Sequence, residues 1–437
     1  MNLFYKIGII FIGICLALIL ANGPGTCDVP HYVIWGRGVA DKGMIKGYIE
    51  SNRIFPPLSS AINGLAVKYI RYGNDLLRIK LSLTIMLILS ATLLLIWTKT
   101  LNVAALFIWA LLLESSSHGY LDIYYIFFLI IALWSISKKN LVLFASSYTI
   151  ACWIKQLPLI IGPFFLIYGL TNMAGLKLGK FLLRAALAAL PVVIICLIII
   201  SLYGVETLKT PVGRLFDPML SGYGLNYNWL YTYYMRVFKP AMFGKLADGS
   251  NPAYVQGECN IIRTRDPAVI RAPQTIFAIF YGLSLILCIL RKKTLENLVL
   301  FSLLGYLSYC MFAPGVHENH YVIATFLSII LLWLNRAYTY PAIAVIAMAN
   351  VNMLVFYGLL GNEFCKECSR VMFGFDLSVA LAALYLLLFL GIYIRAILPI
   401  SMRKKDQGNL IDETGRGASA PANPTCLGTM EETTFSP

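Results

Sequence analysis

The sequence predicts an all-α protein: a polytopic bundle of about twelve transmembrane helices, with interfacial helices in its first external loop. Three observations predict it. Hydrophobic residues make up 59% of the 437 positions and charged residues 13%, where soluble domains carry about a quarter charged. So few polar side chains cannot coat a water-facing surface, and lipid has to solvate most of the exterior. Apolar runs of spanning or near-spanning length recur along the chain. Finally, the net charge of +14 is gathered in short clusters between those runs, at Lys138-Lys139, Lys177 with Lys180, Arg291-Lys292-Lys293 and Arg403-Lys404-Lys405. Clusters so placed orient a membrane protein and meet anionic headgroups, which argues against a nucleic-acid partner.

The first run, Leu3 to Ala21, is long for the apolar part of a signal peptide and sufficient for a ~30 Å hydrocarbon core. It is read as a retained span, although Asn22-Gly23-Pro24-Gly25 resembles a signal-peptide exit. Further spans follow near 78–98, 101–114, 121–137, 141–154, 157–171, 181–203, 274–290, 296–313, 320–335, 340–359 and 375–398. Those near 101–114, 141–154 and 157–171 fall below the usual ~17 residues and are expected to tilt, to extend into the interface or to form a broken pair. With Lys6 inside, nearly every basic turn, including Lys99 and Arg336, falls on the cytoplasmic side, so both chain ends do too.

Two external loops are long, residues 23–77 and 204–273. In the first, Val29–Ala40 and Pro57–Tyr72 are apolar enough for helices lying at the interface. The second is rich in Tyr, Asn, Pro and Gly, and the aromatic density of Tyr223–Tyr234 favours order. Residues 1–400 are expected to form the membrane domain, and residues 401–437, without periodicity, a disordered cytoplasmic tail. Of the ten cysteines, Cys27, Cys259, Cys365 and Cys368 fall in external loops. A disulfide is admissible among them, and spacing does not say which.

The notable polar residues gather at the external ends of the spans. Asp28 follows the first span in Cys27-Asp28-Val29-Pro30-His31-Tyr32, where a solvated carboxylate or a helix cap is the plain alternative. Phe55-Pro56-Pro57-Leu58 opens an apolar stretch and either starts a helix or forms a rigid turn. Asp122 stands at the mouth of the fourth span, with Glu114 on the preceding helix end. It reads equally as a helix N-terminal acid and as a site residue. Lys155 lies outside against the charge bias, as a snorkelling lysine or a cation for phosphate. His317-Glu318-Asn319-His320 is the densest polar cluster and holds two of the four histidines. It lacks the His-Glu-x-x-His spacing of metalloproteases, and a site role is preferred to a plain cap. Arg263, Arg265 and Arg271 suit a phosphate or lipid headgroups equally well.

In this order the features resemble the GT-C glycosyltransferases, which take a sugar from a polyprenyl-phosphate carrier, and among them the mannosyltransferase-like branch. The likeness covers roughly residues 1–335 and rests on Asp28, Phe55–Leu58, Asp122, Lys155 with Pro158, and His317-Glu318. It departs where relatives carry an acid directly before Tyr-Pro-Pro-Leu, here Ile54, and where a second Asp would stand, here Pro30. The resemblance implies sugar transfer with inversion to a hydroxyl of a glycan, lipid or protein acceptor on the extracytoplasmic face. Asp28 would be the general base, and Lys155, Arg263, Arg265 and Arg271 would hold the donor phosphate. His31, Asp122, His317, Glu318 and His320 would position donor or acceptor. The resemblance fixes no cofactor, and a divalent cation is compatible with it. Rival classes are a lipid-linked sugar flippase or polymerase, which shares the one-sided loops, and a secondary transporter, whose polar residues belong near the bilayer midplane. No Asn-x-Ser/Thr sequon has a permitted middle residue, since Pro424 blocks Asn423-Pro424-Thr425. This points to a cytoplasmic (inner) membrane, with the ER membrane as the eukaryotic equivalent.

Overall fold

The structure, a computed structural model, describes residues 3–51, 54–173, 175–214, 219–247, 262–264, 266–361, 371–372 and 375–398. Residues Met1–Tyr393 form one compact unit; of the second, Ile394–Pro437, only residues 394–398 are described. The expected tail, 401–437, lies outside the described residues.

The first apolar run forms α1 (Leu3–Leu20), and the first loop folds into α2 (Val29–Lys42), α3 (Met44–Ser51) and α4 (Pro57–Tyr69). The two expected loop helices are thus present, and α3 is an addition. Pro57 starts α4, where a missing N–H removes no helical bond. Asn74 then caps α5 (Asp75–Thr98), accepting from the Leu77 N–H at 2.9 Å. Next is α6 (Leu101–Leu112), which continues as a π-helical turn, Leu113–His118. Beyond it run α7 (Asp122–Ser137), α8 (Leu141–Ile154), a 3-10 turn (Leu157–Ile161) leading into α9 (Gly162–Met173), and α10 (Leu178–Tyr203).

The second loop holds α11 (Glu206–Arg214), α12 (Tyr227–Phe238) and α13 (Pro240–Ala247). Its strands β1 (Met219–Ser221) and β2 (Ile262–Arg263) pair antiparallel, Met219 facing Arg263 and Ser221 facing Ile262. The chain continues through α14 (Pro267–Leu290), α15 (Leu295–Phe312), a 3-10 turn (Glu318–Tyr321) opening α16 (Val322–Leu334), and α17 (Thr339–Tyr357). The antiparallel pair β3 (Val371–Met372) and β4 (Phe375–Asp376) precedes the last helix, α18 (Leu377–Ile397).

Each apolar run expected as a span lies on a helix, but among the described residues eight helices are long and apolar enough to cross a membrane. They are α1, α5, α6 with its π turn, α10, α14, α15, α17 with the preceding 3-10 turn, and α18. Four apolar helices are shorter, 122–137, 141–154, 157–171 and 318–334. At 1.5 Å per residue, the 14 residues of α8 extend roughly 21 Å, against a core of about 30 Å. All four stop at a polar residue: α7 begins on Asp122, α8 ends before Lys155, the turn into α9 follows Gln156, and the turn into α16 begins on Glu318. The protein is therefore a helical, multi-pass membrane bundle in which four helices are cut short at one end.

Burial separates centre from rim. Every residue of α15 from Leu298 to Phe312 is buried, as are Val322–Leu331 of α16 and most of α7. By contrast α10 buries only Ile199 and exposes Leu182, Leu183, Leu187, Leu190 and Leu197, an apolar surface that suits lipid. The basic turns at Lys99, Lys138-Lys139, Lys177, Arg291-Lys292-Lys293 and Arg336 all lie at helix ends opposite those that meet Asp28, Asp122, Lys155 and Glu318.

Candidate functional site

At that other end a polar cavity of about 360 Å³ opens, lined by residues far apart in the chain. From α2 and the segment before it come Asp28, His31, Tyr32 and Trp35; from the turn before α4, Ile54 and Phe55. The α8–α9 break supplies Lys155, Gln156 and Leu157, α15 supplies Tyr309, and the approach to α16 supplies Gly315, His317, Glu318, Asn319 and His320.

Asp28 precedes α2 but does not cap it: its side chain makes no capping bond. Its Oδ2 instead accepts from the Tyr32 hydroxyl one turn on, at 3.5 Å, which leaves the half-buried carboxylate facing the cavity. Burial, and then the charge of Asp28, push the Tyr32 phenol well above its ordinary range, so Tyr32 acts as a neutral donor. The neighbouring Cys27 thiol is pushed up to about 11 by burial and by the charges of Asp28 and Glu318. His31 is exposed on the cavity side of α2, its ring 6.3 Å from that of Trp35.

The segment carrying Asp28 is held from below by an unexpected group. Lys80 is wholly buried in α5, and its ammonium donates to the carbonyls of Leu20 at 3.1 Å, Gly23 at 2.7 Å and Ser117 at 2.8 Å. The Thr26 N–H donates to the His118 carbonyl at 3.0 Å and the Gly25 N–H to that of Leu360 at 3.2 Å. The end of α1, the π turn and the residues after α17 are thereby tied together beneath Asp28.

Asp122 is fully buried and lies behind the cavity wall rather than on it. Both of its oxygens accept from Lys155 Nζ at 2.8 Å, Oδ1 also from Tyr125 at 2.7 Å and Oδ2 from Asn319 Nδ2 at 3.2 Å. Lys155 is itself 95% buried, its ammonium 5.5 Å from the centre of the Phe55 ring. An ammonium has three N–H donors, and two face Asp122, so one remains for the cavity. The expected lone cation is half of a buried ion pair.

The His-Glu cluster also divides its duties. Glu318 accepts from the Tyr120 hydroxyl through Oε1, while Oε2 is buried without a hydrogen-bond partner, 3.9 Å from His317 Nδ1. His317 is the more exposed ring. The Nδ1 of His320 is 3.0 Å from the Tyr309 hydroxyl and accepts from the His317 N–H at 3.3 Å, its ring stacked on Tyr309.

The structure thus gathers Asp28, His31, Lys155, His317, Glu318 and His320 around one cavity, with Asp122 one contact behind. Arg271 is exposed on α14 and does not line it. Arg265 lies outside the described residues, and of Arg263 only the backbone is described, in β2. Cys259, Cys365 and Cys368 also lie outside them, and Cys27 is a free thiol. Among the described residues no three His, Cys, Asp or Glu side chains come together to hold a metal ion.

Tyr32, Trp35, Gln156, Tyr309 and Lys80 were not expected. Lys80 had a signal, a charge inside an apolar run, and Gln156 adjoins Lys155; Tyr309, in a run of apolar residues, had none.

A second cavity, an open apolar groove of about 370 Å³, runs along α8, α9 and α10, lined by residues such as Tyr148, Trp153, Phe165, Leu166 and Val192. Gln156 lines both cavities, and Pro56, beside Phe55 of the polar cavity, lines the groove. The arrangement can receive a molecule with a polar head and a long apolar tail.

Compared with known protein families and curated proteins, the chain matches no family model and no curated sequence.

Proposed function

We propose that this protein is a membrane glycosyltransferase that moves a sugar from a polyprenyl-phosphate donor to an acceptor hydroxyl, with inversion. The observation that carries this reading is the Asp28 carboxylate, held by the Tyr32 hydroxyl and lining a polar cavity that adjoins an apolar groove. In the step, the acceptor oxygen attacks C1 of the sugar as Asp28 takes its proton. The C1–O bond to phosphate breaks and polyprenyl phosphate departs with the bonding electrons. That leaving group needs a cation rather than a proton, and the remaining Lys155 N–H supplies it. Asp122 holds Lys155 in place, and His31, His317, Glu318 and His320 offer hydrogen bonds to donor or acceptor; Arg263 and Arg265 remain proposed phosphate ligands, while Arg271, which does not line the cavity, is set aside.

The placing of basic turns at the opposite end supports a cavity on the extracytoplasmic face, and hence a twelve-span topology with cytoplasmic ends in a cytoplasmic or ER membrane. The acceptor is a glycan, lipid or protein. A cavity at one end of the bundle, rather than at its midplane, favours transfer over secondary transport; a flippase or polymerase would share the groove. Incubating the purified chain with a panel of polyprenyl-phosphate sugars tests the reading. Asp28→Asn should reduce transfer by about 10²–10⁴-fold, the range of a general base, and leave lipid binding intact. Transfer unchanged by that substitution would remove Asp28 from the role.

A further inference from the structure

We propose that Gln156 reads the sugar of the lipid-linked donor, its side-chain carbonyl accepting a hydrogen bond from a hydroxyl of the transferred sugar; this rests on the function proposed above. Three observations carry it. Gln156 is 93% buried, and its Oε1 has no hydrogen-bond partner. A buried amide oxygen left unpaired is disfavoured by about 1–3 kcal/mol, so an acceptor held this way is poised for a donor that arrives from elsewhere. Gln156 also lines both the polar cavity and the apolar groove, which places it where head and tail of a bound lipid join. Its position is fixed by the helix interruption between α8 and the 3-10 turn, where Lys155 is anchored on Asp122 and the Tyr148 hydroxyl donates to the Pro158 carbonyl at 2.6 Å.

The chemistry narrows the ligand group. The phosphate of a lipid-phosphate sugar offers acceptor oxygens and the tail offers nothing, so the sugar hydroxyls are the donors available to Oε1. A site built to bond a hydroxyl rejects the analogue that lacks it, because the buried partner is then left unsatisfied. Gln156 therefore acts as a specificity-determining residue that separates the sugar-loaded donor from the spent carrier and favours release of the product lipid.

The test compares dissociation constants of the full-length protein in nanodiscs for farnesyl phosphate and for farnesyl phosphomannose. The ratio of the two is the readout. Gln156→Met, similar in volume and without the acceptor, should lower the preference for the sugar-bearing lipid about tenfold, the worth of one hydrogen bond. Gln156→Glu keeps an acceptor oxygen and should keep the preference for the sugar-bearing lipid or raise it, because the added charge repels the phosphomonoester of farnesyl phosphate more than the singly charged phosphodiester. An unchanged ratio in Gln156→Met, or equal weakening of both lipids by it, would assign the amide to phosphate or to packing and overturn the inference. Wild-type transfer from farnesyl phosphomannose separates the two levels. If transfer occurs and the ratio does not respond, the inference alone falls. If the wild type neither transfers nor prefers the sugar-bearing lipid, the functional reading falls with it.

Discussion

The Asp122–Lys155 pair shows how one residue's role depends on what faces it. Asp122 spends its lone pairs on Lys155, Tyr125 and Asn319, so it cannot also serve a substrate, and Lys155 keeps one donor for that purpose. Removing one member strands the other as a buried charge, which destabilises by about 3–5 kcal/mol. Asp122→Leu should therefore lower the unfolding midpoint in detergent strongly, and Lys155→Met should do the same. The double substitution should be milder than either single one, since neither charge is then left alone. Additive losses in that cycle would show that the pair is not coupled. Residue identity alone marked Asp28, Lys155 and His317-Glu318 as unusual, because ionisable groups bordering apolar spans commonly face the bundle or a wet cavity. It did not reveal pairing, since Asp122 and Lys155 are brought together by the packing of α7 against α8, and no local pattern records that contact. For the same reason the phosphate role expected of Arg271 receives no support, its side chain being exposed away from the cavity.

At the scale of elements, the π turn that ends α6 is the joint of the site. Its residues from Leu113 to His118 are all buried, and it is followed by Gly119 in the left-handed region at φ +81°. A Cβ on Gly119 would lie 2.7 Å from the Val29 side chain, immediately after Asp28. Gly119→Ala combines backbone strain of about 1–2 kcal/mol with that collision, so both the unfolding midpoint and sugar transfer should fall. Adding Val29→Ala should restore transfer in part by relieving the collision, while the backbone strain persists. Failure of the second substitution to restore any transfer would separate the turn from the placement of Asp28. Sequence patterning located helices well here: 141–154 coincides with α8, and Pro57 with the start of α4. It could not show the π turn or the Lys80 clamp, whose partners are carbonyls of Leu20, Gly23 and Ser117, atoms that every residue carries.

For the whole molecule, composition alone was enough to specify a helical membrane bundle, because a chain with 13% charged residues has no other solvent available to it. The number of crossings was less legible, since the four short helices have the apolar character of spans without the length. Their shared end point at the polar cavity accounts for this. Where α8 stops, 14 residues from its start, its apolar length is about 9 Å short of a ~30 Å core. A bilayer meets such a mismatch by thinning at that part of the perimeter. Water and headgroups consequently dip toward the cavity, and an amphiphile approaching in the plane of the membrane keeps its charge hydrated along the way. The energetic barrier to entry then depends on the membrane as well as on the protein. Reconstitution in phosphatidylcholines of increasing acyl length should progressively slow turnover, with little change once the lipid is presented in detergent. Turnover indifferent to acyl length would place the short helices away from the lipid boundary. On this view the truncated helices make local membrane thickness a determinant of the rate, so that the same chain would work at different speeds in membranes of different composition.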